Sequence, residues 1–244
     1  MGVPTIGCDC RVCHSPDPRD RRTRPSIMLD YGGRRVLIDT TPDFREQAIR
    51  EKIDRVDAVI YTHAHADHIL GLDDMRPLSF HRPEGKIPLY ANQRTADVIR
   101  SVFRYIFDSD YKYGGLAQVE MNVVNGPVEL FGVRFEPVEI LHGDAEIWGF
   151  RFGSVAYLTD FSTIPEHSLE QLHGLDTIFL DALRHRPHPT HSTVENSLAI
   201  AERLKAKRAY FTHICHDLPH EETNAALPPN VQLSYDGLKL EVEI

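Results

Sequence analysis

The chain has 244 residues, four of them cysteines, and a formal net charge of −9 at neutral pH. Its 41% hydrophobic and 26% charged residues are typical of a globular protein with enough apolar material for a core. The negative net charge argues against a protein that binds long nucleic acid through its overall electrostatic field. No apolar run is long enough to span a bilayer. Because the N-terminus also lacks a secretory signal pattern, we expect a cytoplasmic protein.

The first half of the chain predicts a loop, followed by strands that alternate with helices. The expected elements are a Cys-, Pro- and Arg-rich loop over residues 1–25, a hairpin at 27–39, a helix at 42–52, strands at 57–62 and 87–91, and a helix at 92–107. The turn Gly32-Gly33 places the tip of the hairpin.

The second half repeats this pattern. Strands are expected at 120–124, 128–131, 133–141, 147–152, 155–159, 177–180 and 208–212, helices at 165–172, 192–205 and 220–226, and a last hairpin from 232–235 and 239–242. Ser192 with Glu195 predicts a capping box at the start of one helix. No low-complexity linker interrupts the chain, so we expect a single domain over residues 1–244. Two sets of strands followed by helices predict an α/β (α+β) fold with two sheets and outer helices.

The motif with the clearest chemistry is His63-Ala64-His65-Ala66-Asp67-His68, which directly follows an apolar run. Imidazole nitrogen and carboxylate oxygen are ligands that suit Zn²⁺ and its neighbours. His63 and His65 stand two apart at a strand end and can hold one ion. Asp67 and His68 open the next segment and can face a second ion. The alternative is a cluster of surface histidines, which this spacing makes improbable by chance.

Three further donors follow predicted strands, namely His142, Asp160 and His213. A lone histidine at a strand end is more often structural than a metal ligand. Three donors in the same context, beside a strong nucleating motif, favour a metal site.

The N-terminal loop carries Cys8-x-Cys10-x-x-Cys13, three thiols within six residues. Four cysteines in a chain of this length do not predict a disulfide framework. Three soft donors suit a tetrahedral Zn²⁺ that lacks one ligand. The alternative is three unrelated, reduced cysteines.

The chain resembles the metallo-β-lactamase superfamily over essentially its whole length. That resemblance implies a four-layer αββα sandwich with a dinuclear site at the sheet edges. Finer motifs resemble the PhnP-like subfamily, whose namesake is a cyclic phosphodiesterase that opens 5-phosphoribosyl 1,2-cyclic phosphate. These motifs are residues 7–13, 17–24, 38–45, 68–76, 188–192 and 212–216. Members usually begin with a strand before the segment that matches residues 2–4, and this first strand is missing here.

The resemblance implies a role for each ligand. It assigns His63, His65 and His142 to metal one, Asp67, His68 and His213 to metal two, and Asp160 to both. It also implies His216 as the fourth ligand of a structural zinc with the three cysteines. Cys215 and His14 compete for that fourth place, with Cys215 ranked below His216.

The catalytic residues follow from the same match. Asp67 and Asp160 would orient an attacking hydroxide, and His191 occupies the position of the family's catalytic histidine, where it would act as a general acid. His185 and His188 are expected to be structural, or to position the residues that contact substrate without touching it themselves.

The expected function is that of a metal-dependent phosphodiesterase acting on a small cyclic phosphate or phosphodiester, with two divalent ions, zinc or manganese. The expected partner is this small phosphate ester, without membrane or long nucleic acid, and a homodimer is compatible with the resemblance. One alternative is a tRNA 3′-processing endonuclease, which predicts a basic Gly/Pro-rich arm that we do not find. Others are a metal-binding scaffold without turnover, and thioester or β-lactam hydrolysis, because fold does not fix substrate.

Overall fold

The structure is a computed structural model that describes residues 2–80, 82–108, 110 and 114–244. These residues form two compact units. We call Arg24–Gly132 the middle unit, and the residues up to Thr23 together with Val133–Ile244 the flanking unit. The single domain expected over residues 1–244 stays a prediction.

The middle unit is a sheet with helical connections. Its elements are β1 (Ile27–Tyr31), β2 (Arg34–Ile38), α1 (Phe44–Glu51), β3 (Ala58–Ile60), α2 (Ala66–Ile69), a 3₁₀ turn (Leu72–Met75), α3 (Arg76–Ser79), β4 (Ile87–Ala91), α4 (Gln93–Val102), α5 (Arg104–Phe107), β5 (Val119–Val123) and β6 (Val128–Leu130). The sheet order is β1-β2-β3-β4-β5. β1 and β2 pair antiparallel as the predicted hairpin, and the following pairs are parallel.

Burial explains why β3 is a continuous apolar run. Its three residues are fully buried, as expected for a parallel strand covered on both faces. Val59 packs in a cluster with Leu89 of β4 and Ile99 of α4. The residues that follow β3 are therefore fixed by a rigid strand, and these residues are the histidine motif.

The chain that leaves α2 packs closely against the backbone of the segment after β2. Gly71 donates its backbone N–H to the Thr40 carbonyl oxygen over 3.0 Å. A Cβ atom at Gly71 would lie 1.9 Å from the Thr41 carbonyl oxygen. The obstacle is backbone, so no side-chain rotation can relieve it.

We expect Gly71→Ala to lower the free energy of unfolding by about 3 kcal/mol, the upper range for overpacking. Gly126→Ala is the matched control, because nothing lies within 4 Å of a Cβ atom there, and it should change stability by less than about 1 kcal/mol. Urea unfolding of both variants checks the result. Equal stability of the two variants would contradict the expected clash.

The flanking unit carries a second sheet. Its elements are a 3₁₀ turn (Pro18–Asp20), β7 (Val133–His142), β8 (Ala145–Phe152), β9 (Val155–Leu158), α6 (Glu166–Glu170), β10 (Thr177–Asp181), α7 (Val194–Leu204), β11 (Arg208–Thr212), α8 (His220–Ala226) and β12 (Val231–Leu233). Within this unit the strands lie in the order β12-β11-β10-β9-β8-β7.

Strand direction brings four strand ends to one edge. β9, β10 and β11 pair in parallel, whereas β8 is antiparallel to both β7 and β9. β7 therefore runs in the same direction as β9. Since parallel strands end at the same edge of a sheet, the residues that follow β7, β9, β10 and β11 share that edge.

Three local predictions were wrong. The last hairpin is absent: β12 pairs parallel with β11, and the described residues 239–242 form no strand. The helix expected over 92–107 is interrupted at Phe103, which separates α4 from α5. Thr193 rather than Ser192 caps α7, its Oγ1 accepting from the Asn196 backbone N–H. Ser192 is buried, and its hydroxyl is instead hydrogen-bonded to the Ser197 hydroxyl.

A buried histidine begins α8. His220 is only 1% exposed, and its backbone N–H donates to the Asp20 carboxylate over 2.8 Å. Its Nε2 lies 3.0 Å from the Asn224 side-chain nitrogen. The ring is thus held away from the water that would stabilise its charged form.

Burial lowers the pKa of His220, and the charges of Arg19 and Arg22 act in the same direction. Asp17 and Asp20 oppose this decrease. Because the folded-state pKa lies below the unfolded value of about 6.5, the unfolded state binds more protons on acidification. We expect this contribution to stability to be present above that pH and lost as the pH falls below it.

Urea unfolding at about pH 7.5 and pH 5.5 measures this effect. His220→Gln, which cannot titrate, should lose less unfolding free energy between the two pH values than the unaltered protein loses. An identical loss in both proteins would contradict the assignment to His220.

Candidate metal and active site

In the middle unit, the histidine motif forms one cluster at the end of β3. The ring of His63 lies 4.7 Å from that of His65 and 4.2 Å from that of His68, between ring centroids. The Nε2 atom of His68 is 3.9 Å from an Asp67 carboxylate oxygen. His63 and His68 are buried, whereas His65 is exposed. All four predicted ligands of this unit are therefore brought together.

Asp39, which the sequence analysis missed, fixes part of this cluster. It follows β2, is fully buried, and lies 2.8 Å from His68 Nδ1. Its carboxylate also accepts from the Thr62 backbone N–H and hydroxyl, over 2.9 and 2.7 Å. Burial raises the pKa of Asp39, and these contacts act against the rise. A carboxylate that accepts from Nδ1–H leaves the Nε2 lone pair of His68 as the metal-binding atom.

In the flanking unit, the common strand edge carries a second cluster. β7 ends at His142 and β10 at Asp181, while Asp160 and His213 follow β9 and β11. The Nε2 atom of His213 lies 3.4 Å from an Asp160 carboxylate oxygen. The ring of His191 stacks on that of His213, 4.6 Å apart between centroids. The three predicted strand-end donors of this unit, His142, Asp160 and His213, thus lie with His191 at this edge of the sheet.

His142 is oriented by the chain near His191. Its Nδ1 lies 2.7 Å from the Thr190 carbonyl oxygen. A carbonyl oxygen can only accept, so Nδ1 carries the proton and Nε2 holds the lone pair. Burial lowers the pKa of His142, with the negative charge of Asp160 acting against this. The neutral, ligand-competent form of the imidazole is favoured.

Asp181 is the second residue that the sequence analysis missed. It is fully buried, and one of its carboxylate oxygens lies 2.7 Å from His191 Nδ1. Burial raises the pKa of Asp181 well above its usual range, and the nearby imidazole of His213 opposes this rise. The pair resembles the carboxylate and histidine of a proton-transfer site, in which the carboxylate fixes the imidazole tautomer. His185, by contrast, is exposed and pairs with Glu195.

Both missed carboxylates share the context of the predicted ligands, since each lies at the end of an apolar strand. Three of these strand-end residues also have a left-handed backbone: Asp39, Asp160 and His213, with φ of 65°, 60° and 54°. Such values are uncommon outside glycine and persist where the surrounding structure imposes them, often at functional sites.

The thiol cluster also forms as expected from its spacing. The Sγ atoms of Cys8, Cys10 and Cys13 lie 3.2, 3.6 and 3.4 Å from His216 Nδ1. All four cysteines of the chain are free thiols. Cys215 instead accepts from the Asp217 backbone N–H. Three thiolates and one imidazole, with donor atoms within 4.8 Å of one another, fit a closed tetrahedral zinc site.

The competing ligand His14 has a different partner. Its Nδ1 lies 3.3 Å from the Cys10 carbonyl oxygen, so this ring contacts the backbone of the loop. Among the residues that the structure describes, the group formed around the three cysteines contains His216 and not His14.

Comparison with known proteins identifies the family of the chain. A family model described as a β-lactamase superfamily domain matches residues 34–214, well over half of the chain. The chain belongs to the metallo-β-lactamase superfamily. A crystal structure described as a new diphosphatase from the PhnP family is 64% identical, covers 100% of this chain and 94% of its own, and superposes with a TM-score of 0.94. The PhnP-like resemblance and the fold class are confirmed, and membership of this family supports a metal-dependent hydrolase.

The chain is also similar to two further proteins, one in sequence and one in fold. A Porphyromonas gingivalis protein named octanoyltransferase is 37% identical over 99% of this chain. The match covers only 49% of that protein, so the chain spans about half the length of this curated relative. Zinc-bound PqqB from Methylobacterium extorquens shares the fold at 20% identity, with a TM-score of 0.76 over 99% of this chain and 96% of its own. No helix in the described part of this PhnP-family chain could cross a membrane.

Proposed function

We propose that this PhnP-family protein hydrolyses a P–O bond in a small substrate whose phosphorus carries two ester or anhydride oxygens. Cyclic phosphates, simple phosphodiesters and diphosphates share this chemistry. The observation that carries the proposal is the pair of buried Asp181 and half-buried His191, 2.7 Å apart, beside Asp160 and His213. A proton donor next to metal-ligating groups suits the departure of an alkoxide or phosphate.

The proposed metal ligands follow the donor chemistry of the two clusters. His63, His65 and His142 would hold one divalent ion, Asp67, His68 and His213 a second, and Asp160 both. The Nδ1 partners of His68 and His142 support this, because each leaves an Nε2 lone pair for a metal. Zinc and manganese both accept such ligands. When bound, the two ions would supply positive charge to the phosphate and acidify a water molecule.

The remaining steps belong to the side chains of the protein. Asp67 and Asp160 would orient the attacking water. His191, held through Nδ1 by Asp181, would deliver a proton from Nε2 to the departing oxygen. Asp181 would keep that ring in one tautomer and stabilise its charged form, as in other carboxylate–histidine pairs.

We further propose a structural zinc at the thiol cluster. It would join the N-terminal loop, through Cys8, Cys10 and Cys13, to the segment that follows β11, through His216. His213 lies three residues before His216, so the same turn would carry a ligand of each centre.

Turnover of a substrate panel tests the proposed function. The zinc- or manganese-loaded protein should hydrolyse bis(p-nitrophenyl) phosphate, a cyclic ribose phosphate or a diphosphate diester, lose this activity on chelation and regain it with metal. The monoester p-nitrophenyl phosphate is the matched control and should react far more slowly. Absence of metal-dependent hydrolysis across the panel would refute the proposal.

The same panel separates the substrate classes. The description of the 64% identical relative as a diphosphatase favours the diphosphate, whereas the motifs of the chain favour the cyclic diester. The larger kcat/KM identifies the preferred class. A precursor tRNA in the panel tests the nuclease alternative, for which we expect no 3′ cleavage.

A further inference from the structure

Thr190 holds two histidines of the flanking unit in opposite ways. Its carbonyl oxygen accepts from His142 Nδ1 over 2.7 Å. Its backbone N–H donates to His188 Nδ1 over 3.3 Å, and its hydroxyl lies 3.2 Å from the same atom. One residue therefore contacts the Nδ1 atom of both rings, once as an acceptor and once as a donor.

The two contacts impose different tautomers. A backbone N–H can only donate, so Nδ1 of His188 must hold a lone pair, and a neutral imidazole then carries its proton on Nε2. Burial lowers the pKa of His188, and the charges of His191 and Arg184 act in the same direction, which supports the neutral form. His142 has the reverse arrangement, with its lone pair on Nε2. Thr190 thus turns one ring into a metal ligand and the other into a hydrogen-bond donor.

The location of His188 gives its donor a use. Its ring is half-buried and lies 5.0 Å from that of His191 between centroids. In residues 2–80, 82–108, 110 and 114–244, no group forms a hydrogen bond with His188 Nε2. A fixed N–H donor beside the proton-transfer histidine, without a protein acceptor, is suited to an anionic oxygen from outside the chain.

We propose that His188 is a substrate-binding residue whose Nε2–H donates to a phosphoryl oxygen next to the bond that His191 protonates. This inference rests on the proposed function and replaces the expected supporting role of His188. Because Nδ1 is occupied by Thr190, His188 donates a hydrogen bond without serving as the acid. It would therefore orient the phosphate, while His191 transfers the proton.

Two substitutions separate the two ring nitrogens. His188→Asn can retain an acceptor near Nδ1 for Thr190 but has no group at the position of Nε2. His188→Gln reaches the position of Nε2 with its amide nitrogen and restores a donor there. For a hydrogen bond to a charged oxygen, we expect His188→Asn to lower kcat/KM about 10- to 100-fold and His188→Gln to lower it less than about 5-fold.

Binding of inorganic phosphate to the zinc-loaded protein, followed by calorimetry, gives a readout that needs no turnover. The Asn variant should bind phosphate about 10- to 100-fold more weakly than the Gln variant, with equal metal content and melting temperature. Nitrogen-15 chemical shifts should show His188 protonated on Nε2 and not on Nδ1. If the Asn variant does not fold, these shifts still show which ring nitrogen of His188 carries the proton in the unaltered protein.

Three results would overturn the inference: equal phosphate affinity of the Asn and Gln variants, a proton on His188 Nδ1, or no phosphate binding by the unaltered loaded protein. The proposed function fails separately, if the loaded protein hydrolyses no member of the substrate panel. In that case the difference in phosphate affinity still decides the role of His188.

Discussion

Replacing His191 by alanine is expected to lower kcat for an alkyl phosphodiester by about 10²- to 10⁴-fold, the usual contribution of a general acid. The alkoxide that departs is a strong base and needs a proton in the transition state. Asp181 holds His191 Nδ1 at 2.7 Å, which leaves Nε2 as the atom that can supply it. The loss should appear in kcat and kcat/KM alike, because the interaction is made only in the transition state.

The leaving group makes this prediction specific. p-Nitrophenolate departs without a proton, so His191→Ala should lose far less activity on bis(p-nitrophenyl) phosphate than on the alkyl ester. His185→Ala is the matched control, since His185 belongs to the same segment but is exposed and paired with Glu195. Steady-state kinetics on both substrates give the comparison. The same loss on both leaving groups would exclude His191 as the acid that protonates the departing oxygen.

The second large effect concerns the thiol cluster. Cys8→Ser should reduce the zinc content by one ion per chain and lower the melting temperature by about 10 °C or more. A structural zinc contributes its binding free energy to folding, and about 5 kcal/mol corresponds to a shift of that size in a chain of this length. Elemental analysis and thermal unfolding measure the two quantities on the same sample.

The competing ligands provide the controls. Cys215→Ser and His14→Ala should keep the full zinc content, because these side chains contact Asp217 and the Cys10 carbonyl oxygen instead. His216→Ala should behave like Cys8→Ser. Full zinc content in His216→Ala, with one ion lost from either control, would show that the fourth ligand has been assigned to the wrong residue.

Much of the site could be predicted because ligand types and strand ends are both visible in a sequence. His142 and His213 were found as donors after apolar runs, and parallel strands bring such positions to one edge. Asp39 and Asp181 occupy the same context but were missed. A carboxylate at a strand end can bind a metal or support a histidine, and only its distance to an imidazole Nδ1 distinguishes the two roles.

The elements that failed depend on tertiary contacts. The terminal segment around 232–242 has the alternation of a hairpin, yet β12 pairs with β11, which no local pattern encodes. The cap of α7 moved from Ser192 to Thr193 because Ser192 is buried against Ser197. The identity of the substrate is equally non-local, since several phosphates present the same atoms to the same residues.

The positive φ angles of Asp39, Asp160 and His213 restrict which sequences can occupy these positions. Asparagine and glycine accept a left-handed backbone, whereas β-branched residues do so only under strain. Asp160→Asn would therefore remove the charge and leave the backbone conformation unchanged. Asp160→Val would remove the charge and also strain the backbone. In a saturation library read out by folding alone, these three positions should tolerate Asn and Gly and reject Val and Ile, so that backbone geometry would restrict their variation even in a protein that no longer needs its metals.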